Sequence, residues 1–211
     1  MSLIARERLG SIGTDVDVAH ADLVGRDAAK RMRAGDHTLW QDDSTEVADR
    51  LGWLEVADEV RAQLSQARRQ VGDRNQAALM GMGGSSLFPE VLNRTFPHAA
   101  SLTVLDTTDP AAIARIDVDG TTFIAASKSG TTIETTSQLA HFWEQTGDSG
   151  DRFVAVTDPA TALAKLGRDR HFHAVFENRP DIGGRYSALS WFGVVPALML
   201  GVDADRLLER A

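Results

Sequence analysis

Short apolar runs of strand length recur along the chain from residue 76 onward. Few polar residues interrupt them, which is typical of strands buried on both faces of a parallel sheet. The runs are AALMGMG, SLTVLD, TTFIAAS, RFVAVTD and FHAVF. The pattern therefore predicts five strands.

Segments of helical length separate these runs, and each opens with Ser, Thr or Asp, the residues preferred as helix N-caps. Twice the opening is Asp-Pro, at 109–110 and 158–159, with proline suited to the first helical position. Strands that alternate with helices favour right-handed crossovers around a parallel sheet. We expect a three-layer α/β/α sandwich of flavodoxin-like type with a five-stranded parallel sheet.

The first 73 residues contain no comparable strand. Val56, Val60, Leu64 and Ala67 recur at helical spacing and predict an amphipathic helix over about 53–70. We therefore expect a helical N-terminal extension over 1–73, followed by the sheet domain over 74–211.

Composition narrows the class of protein. The 211 residues carry a formal net charge of -8, which argues against nucleic acid as a partner, and no apolar run approaches the roughly 18 residues needed to cross a bilayer. The absence of cysteine agrees with a reducing compartment. A cytoplasmic protein without a membrane partner is expected.

Two glycine-rich stretches mark candidate ligand loops. LMGMGGSSLFPEVL follows the first predicted strand, and in open α/β sheets ligands bind beyond the carboxyl ends of strands. Gly84 and Ser85 would lie at the start of the next helix, where free N–H groups favour an anion or a sugar hydroxyl. The simpler interpretation is a tight turn with a serine cap.

A dinucleotide-binding fold is the main competing interpretation of that loop. Gly81 and Gly83 fit the fingerprint and Asp106 ends the next strand, but Ser86 stands where a third glycine or alanine is expected.

The stretch SKSGTTIET, residues 127–135, favours a phosphate ligand instead. At the end of the third predicted strand lie Ser127, Lys128, Ser129, Thr131 and Thr132, where hydroxyls and helix N–H groups together can bind the oxygens of a phosphate. A dinucleotide fold does not require this second loop.

Further along, DIGGRYSALSWFG places paired glycines before Arg185, whose guanidinium suits an oxyanion. His171 and His173 alternate on a predicted strand, but no third ligand has a supporting spacing, so neither a metal nor another cofactor is predicted.

Three motifs in this order, GMGGSSLFPEVL, SKSGTTIET and GGRYSALSWFG, resemble the glucose-6-phosphate isomerase family, which is built from sugar-isomerase (SIS) domains. HTLWQDD, RLGW and LDTTDPAAI are most similar to the isomerase part of bacterial proteins in which this enzyme is fused to transaldolase.

The resemblance implies substrate-binding roles for Gly84, Ser85, Ser127, Lys128, Ser129 and Thr132. It implies a catalytic role for Arg185, which would stabilise the charged intermediate. The family interconverts glucose 6-phosphate and fructose 6-phosphate through a cis-enediol, with a glutamate as base and a histidine and lysine for ring opening.

The sequence departs from this family after Tyr186, because nothing up to Ala211 matches the segments that carry the base, the histidine and the lysine. We therefore expect the first, phosphate-binding lobe of an isomerase, which forms a homodimer or associates with a second SIS lobe. The alternative is a non-catalytic SIS module that senses a phosphosugar.

Overall fold

The computed structural model describes residues 10–96 and 100–211. The chain divides between Asp49 and Arg50 into an N-terminal unit and a sheet unit of residues 50–211. Residues 1–9, which belong to the predicted extension, lie outside the described residues.

The described part of the N-terminal unit contains two short helices, α1 (Gly13–Gly25) and α2 (Ala28–Arg33). After α2, Arg31 Nε donates to Asp36 Oδ2 at 2.7 Å, and Asp36 Oδ1 accepts from the backbone N–H of Thr38 at 3.0 Å. Local polar contacts therefore fix the turn that follows the second helix.

The sheet unit contains five parallel strands, which confirms the predicted α/β fold with its five-stranded parallel sheet. The strands are β1 (Gln76–Gly81), β2 (Ser101–Leu105), β3 (Thr122–Ala126), β4 (Phe153–Thr157) and β5 (Ala174–Glu177). Their order in space is β2-β1-β3-β4-β5.

Seven α-helices of the described chain belong to this unit. They are α3 (Val56–Val71), α4 (Gly84–Thr95), α5 (Pro110–Ile113), α6 (Ile133–Gln145), α7 (Ala162–Asp169), α8 (Trp191–Leu200) and α9 (Ala204–Glu209). No helix in the described ranges is long and apolar enough to cross a membrane.

Alternate strand residues face two separate cores, as the pleat of a strand requires. On β3, Ile124 packs into a core with α3 and α8, whereas Phe123 packs into a core with α6 and α7. Helices therefore cover both faces of the sheet, which gives the three layers of an α/β/α sandwich.

Helix α3 begins near the predicted position and buries the predicted face. Val56, Val60, Leu64 and Ala67 are all buried, and they pack into the same core as α8 and α9. The boundary predicted between residues 73 and 74 thus differs from the division by contacts, because this helix covers one face of the sheet.

The strand order contains one topological switch point, between β1 and β3, where successive connections leave in opposite directions along the sheet. Ligands of open α/β proteins bind in the crevice beyond the carboxyl ends of the strands at such a point. The loops after β1 and β3 carry the two candidate motifs.

Candidate functional site

The loop after β1 turns sharply into α4. Gly83 has φ +55°, a conformation that favours glycine, and α4 begins at Gly84. A Cβ added to Gly84 would lie 2.0 Å from the carbonyl oxygen of Gly184. Position 84 therefore has no space for a side chain, and the first glycine loop directly contacts the GGR segment.

The GGRYS segment forms a 3₁₀ helix over Gly184–Leu189. Ser187 is buried, and its hydroxyl donates to the Gly184 carbonyl at 2.8 Å and approaches the Gly84 carbonyl at 3.5 Å. Arg185 is exposed on this helix, so its guanidinium is available to a ligand.

Tyr186 stacks on Trp53 with 5.5 Å between ring centroids. The segment RLGW therefore contacts the GGRYS helix, which sequence reasoning missed because RLGW carries no motif of a ligand site.

The loop after β3, residues 127–132, is called here the hydroxyl loop. Ser127 is 2% exposed, and its Oγ accepts from the N–H of Gly130 at 3.1 Å and lies 2.8 Å from Thr132 Oγ1. Gly130 has φ +68°. Ser127 therefore fixes the shape of the loop from inside.

The outer rim of the hydroxyl loop is polar and accessible. Ser129 and Thr131 are exposed, with 3.0 Å between their hydroxyl oxygens. Thr132 occupies the N-cap position of α6, and the first backbone bond of the helix runs from the Thr136 N–H to the Thr132 carbonyl. The N–H groups of the first turn have no acceptor within the helix and carry its positive dipole end, an arrangement suited to an anion.

The Lys128 side chain, in contrast, is engaged within the protein. Its Nζ donates to Asp158 Oδ2 and, at 2.8 Å, to the carbonyl of Pro180. Burial raises the pKa of Asp158, and the hydrogen bond from Lys128 opposes that shift. Oδ1 of the same carboxylate is buried without a hydrogen-bond partner among the described residues.

A second ion pair lies beside this one. Arg179 forms a bidentate pair with Asp181, with N–O distances of 2.8 and 2.6 Å, and it also binds Glu59. The Arg179 hydrogen bond lowers the pKa of Asp181. The Asp181 carbonyl accepts from the N–H of Gly52 at 2.9 Å, so the chain leading into GGRYS is held on both sides.

The fold brings three segments to one edge of the sheet: the glycine loop after β1, the GGRYS helix and the hydroxyl loop. Gly81 pairs with Ala126, the residue before the hydroxyl loop, and a Cβ on Gly81 would lie 3.2 Å from Ser85 Cβ. Ser85 is half-buried on the first turn of α4. Sequence reasoning missed Asp158 and Pro180, although both follow carboxyl ends of strands, the positions that could have marked them.

The histidine positions differ from the expectation that both lie on one strand. His171 is in a turn with φ +54°, and β5 begins only after His173, whose Nδ1 lies 3.0 Å from Asp151 Oδ1. The strand is shorter because the chain first leaves α7 through a tight turn. Within the described ranges, no group of three or more potential metal ligands occurs.

Fold and site together define the class of this chain: a doubly wound parallel α/β protein with three polar or glycine-rich loops at its switch point. A structure from Thermus thermophilus, described as a hypothetical protein, is similar at a TM-score of 0.77 and 28% identity; the match covers 94% of this chain and 48% of that one. A glucose-6-phosphate isomerase structure from Chlamydia trachomatis is similar at a TM-score of 0.58 and 25% identity, covering 84% and 35% of the two chains.

Residues 18–211 match the phosphoglucose isomerase family, and the chain belongs to it. A glucose-6-phosphate isomerase of Thermus thermophilus is 33% identical over 174 residues, which are 76% of this chain and 42% of that protein. The enzyme of Rubrobacter xylanophilus is 34% identical over 155 residues, or 63% and 35%. The chain thus spans less than half the length of these curated relatives.

Proposed function

We propose that this chain is the sugar-phosphate-binding lobe of a glucose-6-phosphate isomerase. The observation that carries the proposal is the meeting of the hydroxyl loop, the Gly84 turn and the GGRYS helix at the switch point. The relatives named above as glucose-6-phosphate isomerases support the choice of substrate.

In this proposal the phosphate of glucose 6-phosphate or fructose 6-phosphate binds at the rim of the hydroxyl loop. Ser129 and Thr132 supply hydroxyls, and the first turn of α6 supplies N–H groups and its dipole. A local device of this kind is needed because the protein as a whole carries a net charge of -8. Ser127 contributes by holding the loop in shape.

Gly84 and Ser85 would then face the sugar, and Arg185 would stabilise negative charge on a cis-enediol intermediate. An exposed guanidinium whose loop touches the Gly84 turn is suitably placed for a ligand that spans both loops. A fixed cation beside the developing enediolate lowers the barrier to proton abstraction next to a carbonyl.

The binding proposal is tested by calorimetry with fructose 6-phosphate. The double variant Ser129→Ala/Thr132→Val should weaken binding by more than roughly 2 kcal/mol, because hydrogen bonds to a charged phosphate are lost. The control is Thr103→Val/Ser137→Ala, which removes two exposed hydroxyls elsewhere in the sheet unit. Equal affinities of the two double variants would contradict the site.

Proton transfer between C1 and C2 is proposed to need a base that residues 186–211 do not supply. A coupled assay on residues 1–211 should then show no isomerase turnover. A robust rate that Glu134→Gln abolishes would instead assign the base to Glu134, in the first turn of α6.

The finer assignments follow from the same resemblance. We propose a cytoplasmic protein of the type fused to transaldolase, acting as a homodimer or with a second SIS lobe. Apolar side chains on the outer face of α4 suit such an association, since Leu87 is 64% exposed and Val91 is 53% exposed.

A further inference from the structure

Lys128 lies in the hydroxyl loop, yet its ammonium group contacts two other strand ends. Asp158 directly follows β4, and Pro180 lies in the segment between β5 and the GGRYS helix. The two contacts are a charge-assisted bond to Asp158 Oδ2 and a 2.8 Å bond to the Pro180 carbonyl. One side chain therefore connects the carboxyl ends of β3, β4 and β5.

These contacts leave Lys128 poorly suited to bind phosphate. An ammonium has three N–H donors, and two of them are used here. The Lys128 side chain is 28% exposed and that of Asp158 is 13% exposed, so the pair is largely shielded from water. A phosphate would have to displace a carboxylate that is bonded to this ammonium in a partly buried position.

The charges of Lys128 and Asp158 also indicate that Lys128 does not bind the phosphate directly. Asp158 places a negative charge beside a loop that is to bind a dianion, and the ammonium of Lys128 neutralises it. Without Lys128 the buried carboxylate would lose its bonded cation and would repel the ligand more strongly. The lysine thus removes a repulsion, which is a different role from a direct attraction.

The backbone around Lys128 is held by the same neighbours. Its carbonyl accepts from the Asp158 N–H at 3.2 Å. On the next turn of the loop, a Cβ on Gly130 would lie 2.7 Å from Thr161 Cβ, so the hydroxyl loop packs against the start of α7. The position of the loop therefore depends on the β4–α7 connection.

We propose that Lys128 is a positioning residue, whose side chain braces the hydroxyl loop against Asp158 and the Pro180 carbonyl and does not contact the phosphate. This inference rests on the proposed function, in which the hydroxyl loop binds the phosphate. It replaces the direct substrate contact that the sequence suggests for Lys128. Because Pro180 precedes the GGRYS helix, the brace also sets the distance between the phosphate site and Arg185.

The direction in which Asp158→Asn changes the affinity for phosphate distinguishes a Lys128 that braces the loop from a Lys128 that binds the ligand. If Lys128 binds the phosphate, Asp158→Asn removes a competing anion and should leave binding unchanged or make it tighter. If Lys128 is a brace, Asp158→Asn weakens the tie and should weaken binding, although it removes a negative charge. Simple electrostatics predicts the opposite change, so a loss of affinity points to positioning.

The experiment measures Kd for fructose 6-phosphate and for inorganic phosphate by calorimetry, using the protein and its variants Lys128→Met, Asp158→Asn and the double variant. We expect each single variant to weaken binding about tenfold, since a bond between charged groups is lost, and the double variant to be no weaker than Lys128→Met. The matched control is Lys165→Met/Asp169→Asn, which removes an exposed Lys–Asp pair on α7. It should leave both Kd values unchanged.

Salt dependence supplies a second readout that a purely structural defect does not move. A lysine in contact with phosphate adds a screened attraction, so its removal would flatten the dependence of Kd on NaCl. For a brace the dependence stays the same in the double variant Lys128→Met/Asp158→Asn, because the two opposite charges of the pair are removed together. If Lys128→Met has no thermal unfolding transition, it is not folded and its Kd is not used. Asp158→Asn keeps the shape of the side chain, so the direction of its change in Kd then decides between the two roles.

Different outcomes would contradict the brace and the proposed phosphate-binding function. Tighter or unchanged binding in Asp158→Asn, or a flattened salt dependence in the double variant, overturns the brace and leaves the phosphate site in place. Failure of the unsubstituted protein to bind either ligand overturns the proposed function, and the brace with it.

Discussion

The N-terminal unit and the sheet unit obtain their order by different means. Helices α1 and α2 contain no buried residue, and Val18 and Val24 are 66% and 62% exposed. In α8, nine of the ten residues are buried. The comparison teaches that apolar residues indicate a core only where a sheet or another helix offers a complementary face.

In the described part of the N-terminal unit, polar contacts rather than a buried core hold the chain in place. Arg31 binds both Asp36 and Thr38, and Arg26 donates to the Leu39 carbonyl at 3.0 Å. Exposed contacts of this type contribute little each. We expect the sheet unit to respond strongly to loss of apolar volume and the N-terminal unit to respond weakly.

The largest expected effect is therefore a deletion in the core of the sheet unit. Phe123 is fully buried and stacks on Phe142 and Phe153, with centroid distances of 4.5 and 5.4 Å. Phe123→Ala should lower the free energy of unfolding by about 3–5 kcal/mol, because it removes these contacts and leaves a cavity. Urea denaturation followed by circular dichroism measures the change.

Val24→Ala is the matched truncation in the N-terminal unit. Its side chain is exposed, so the free energy of unfolding should change by no more than about 0.5 kcal/mol. Similar losses in the two variants would contradict the contrast between the units.

A smaller effect is expected within the site, from adding one methyl group. Gly84→Ala places a Cβ against the Gly184 carbonyl and should cost about 1–3 kcal/mol of stability while moving the GGRYS helix. Gly184→Ala has no atom within 4 Å of the added Cβ, so it serves as control. Thermal unfolding and the Kd for fructose 6-phosphate should change in the first variant and stay nearly constant in the second.

The same contrast explains how much of the fold the sequence predicts. The number of strands and the position of α3 are predicted correctly, although β5 begins later than predicted, because residues such as Ile124 and Leu64 are buried in the periodic manner that strands and amphipathic helices require. Burial is strong and repeats along the chain, so its pattern is visible without a structure.

Helix starts are less predictable, as the two Asp-Pro pairs demonstrate. Asp109 caps α5 as predicted, with its Oδ1 accepting from the Ala111 N–H at 2.9 Å. The same signal predicts Asp158 as the cap of α7, but Thr161 caps that helix and Asp158 binds Lys128. The local signal is identical in both places, and a tertiary contact 30 residues away decides the second.

In the candidate site, too, local signals are predictable and tertiary contacts are not. Its loops are predictable because glycines and hydroxyls at strand ends are local signals. The contact between Gly84 and Gly184, the stack of Trp53 on Tyr186 and the engagement of Lys128 by Asp158 join distant segments, so no local pattern reports them.

The smallest expected effect is the acid response of one carboxylate of the N-terminal unit, that of Asp36. Hydrogen bonds from the Thr38 side chain and from Arg31 lower the pKa of Asp36 to about 2. A carboxyl whose folded pKa is depressed stabilises the fold above its ordinary pKa of 3.8, and that stabilisation disappears as the pH falls through about 2. Carbon-13 NMR of the Asp36 carboxyl should follow this titration.

Thr38→Val removes the largest cause of the shift, so the pKa of Asp36 should rise toward its ordinary value. Thr45→Val is the matched control: the backbone N–H of Thr45 and, second, its hydroxyl lower the pKa of Asp43, so loss of the hydroxyl should raise the pKa of Asp43 in part and leave that of Asp36 unchanged. An Asp36 pKa that is the same with and without the Thr38 hydroxyl would mean that this turn is not held by the local polar contacts that distinguish the N-terminal unit from the sheet.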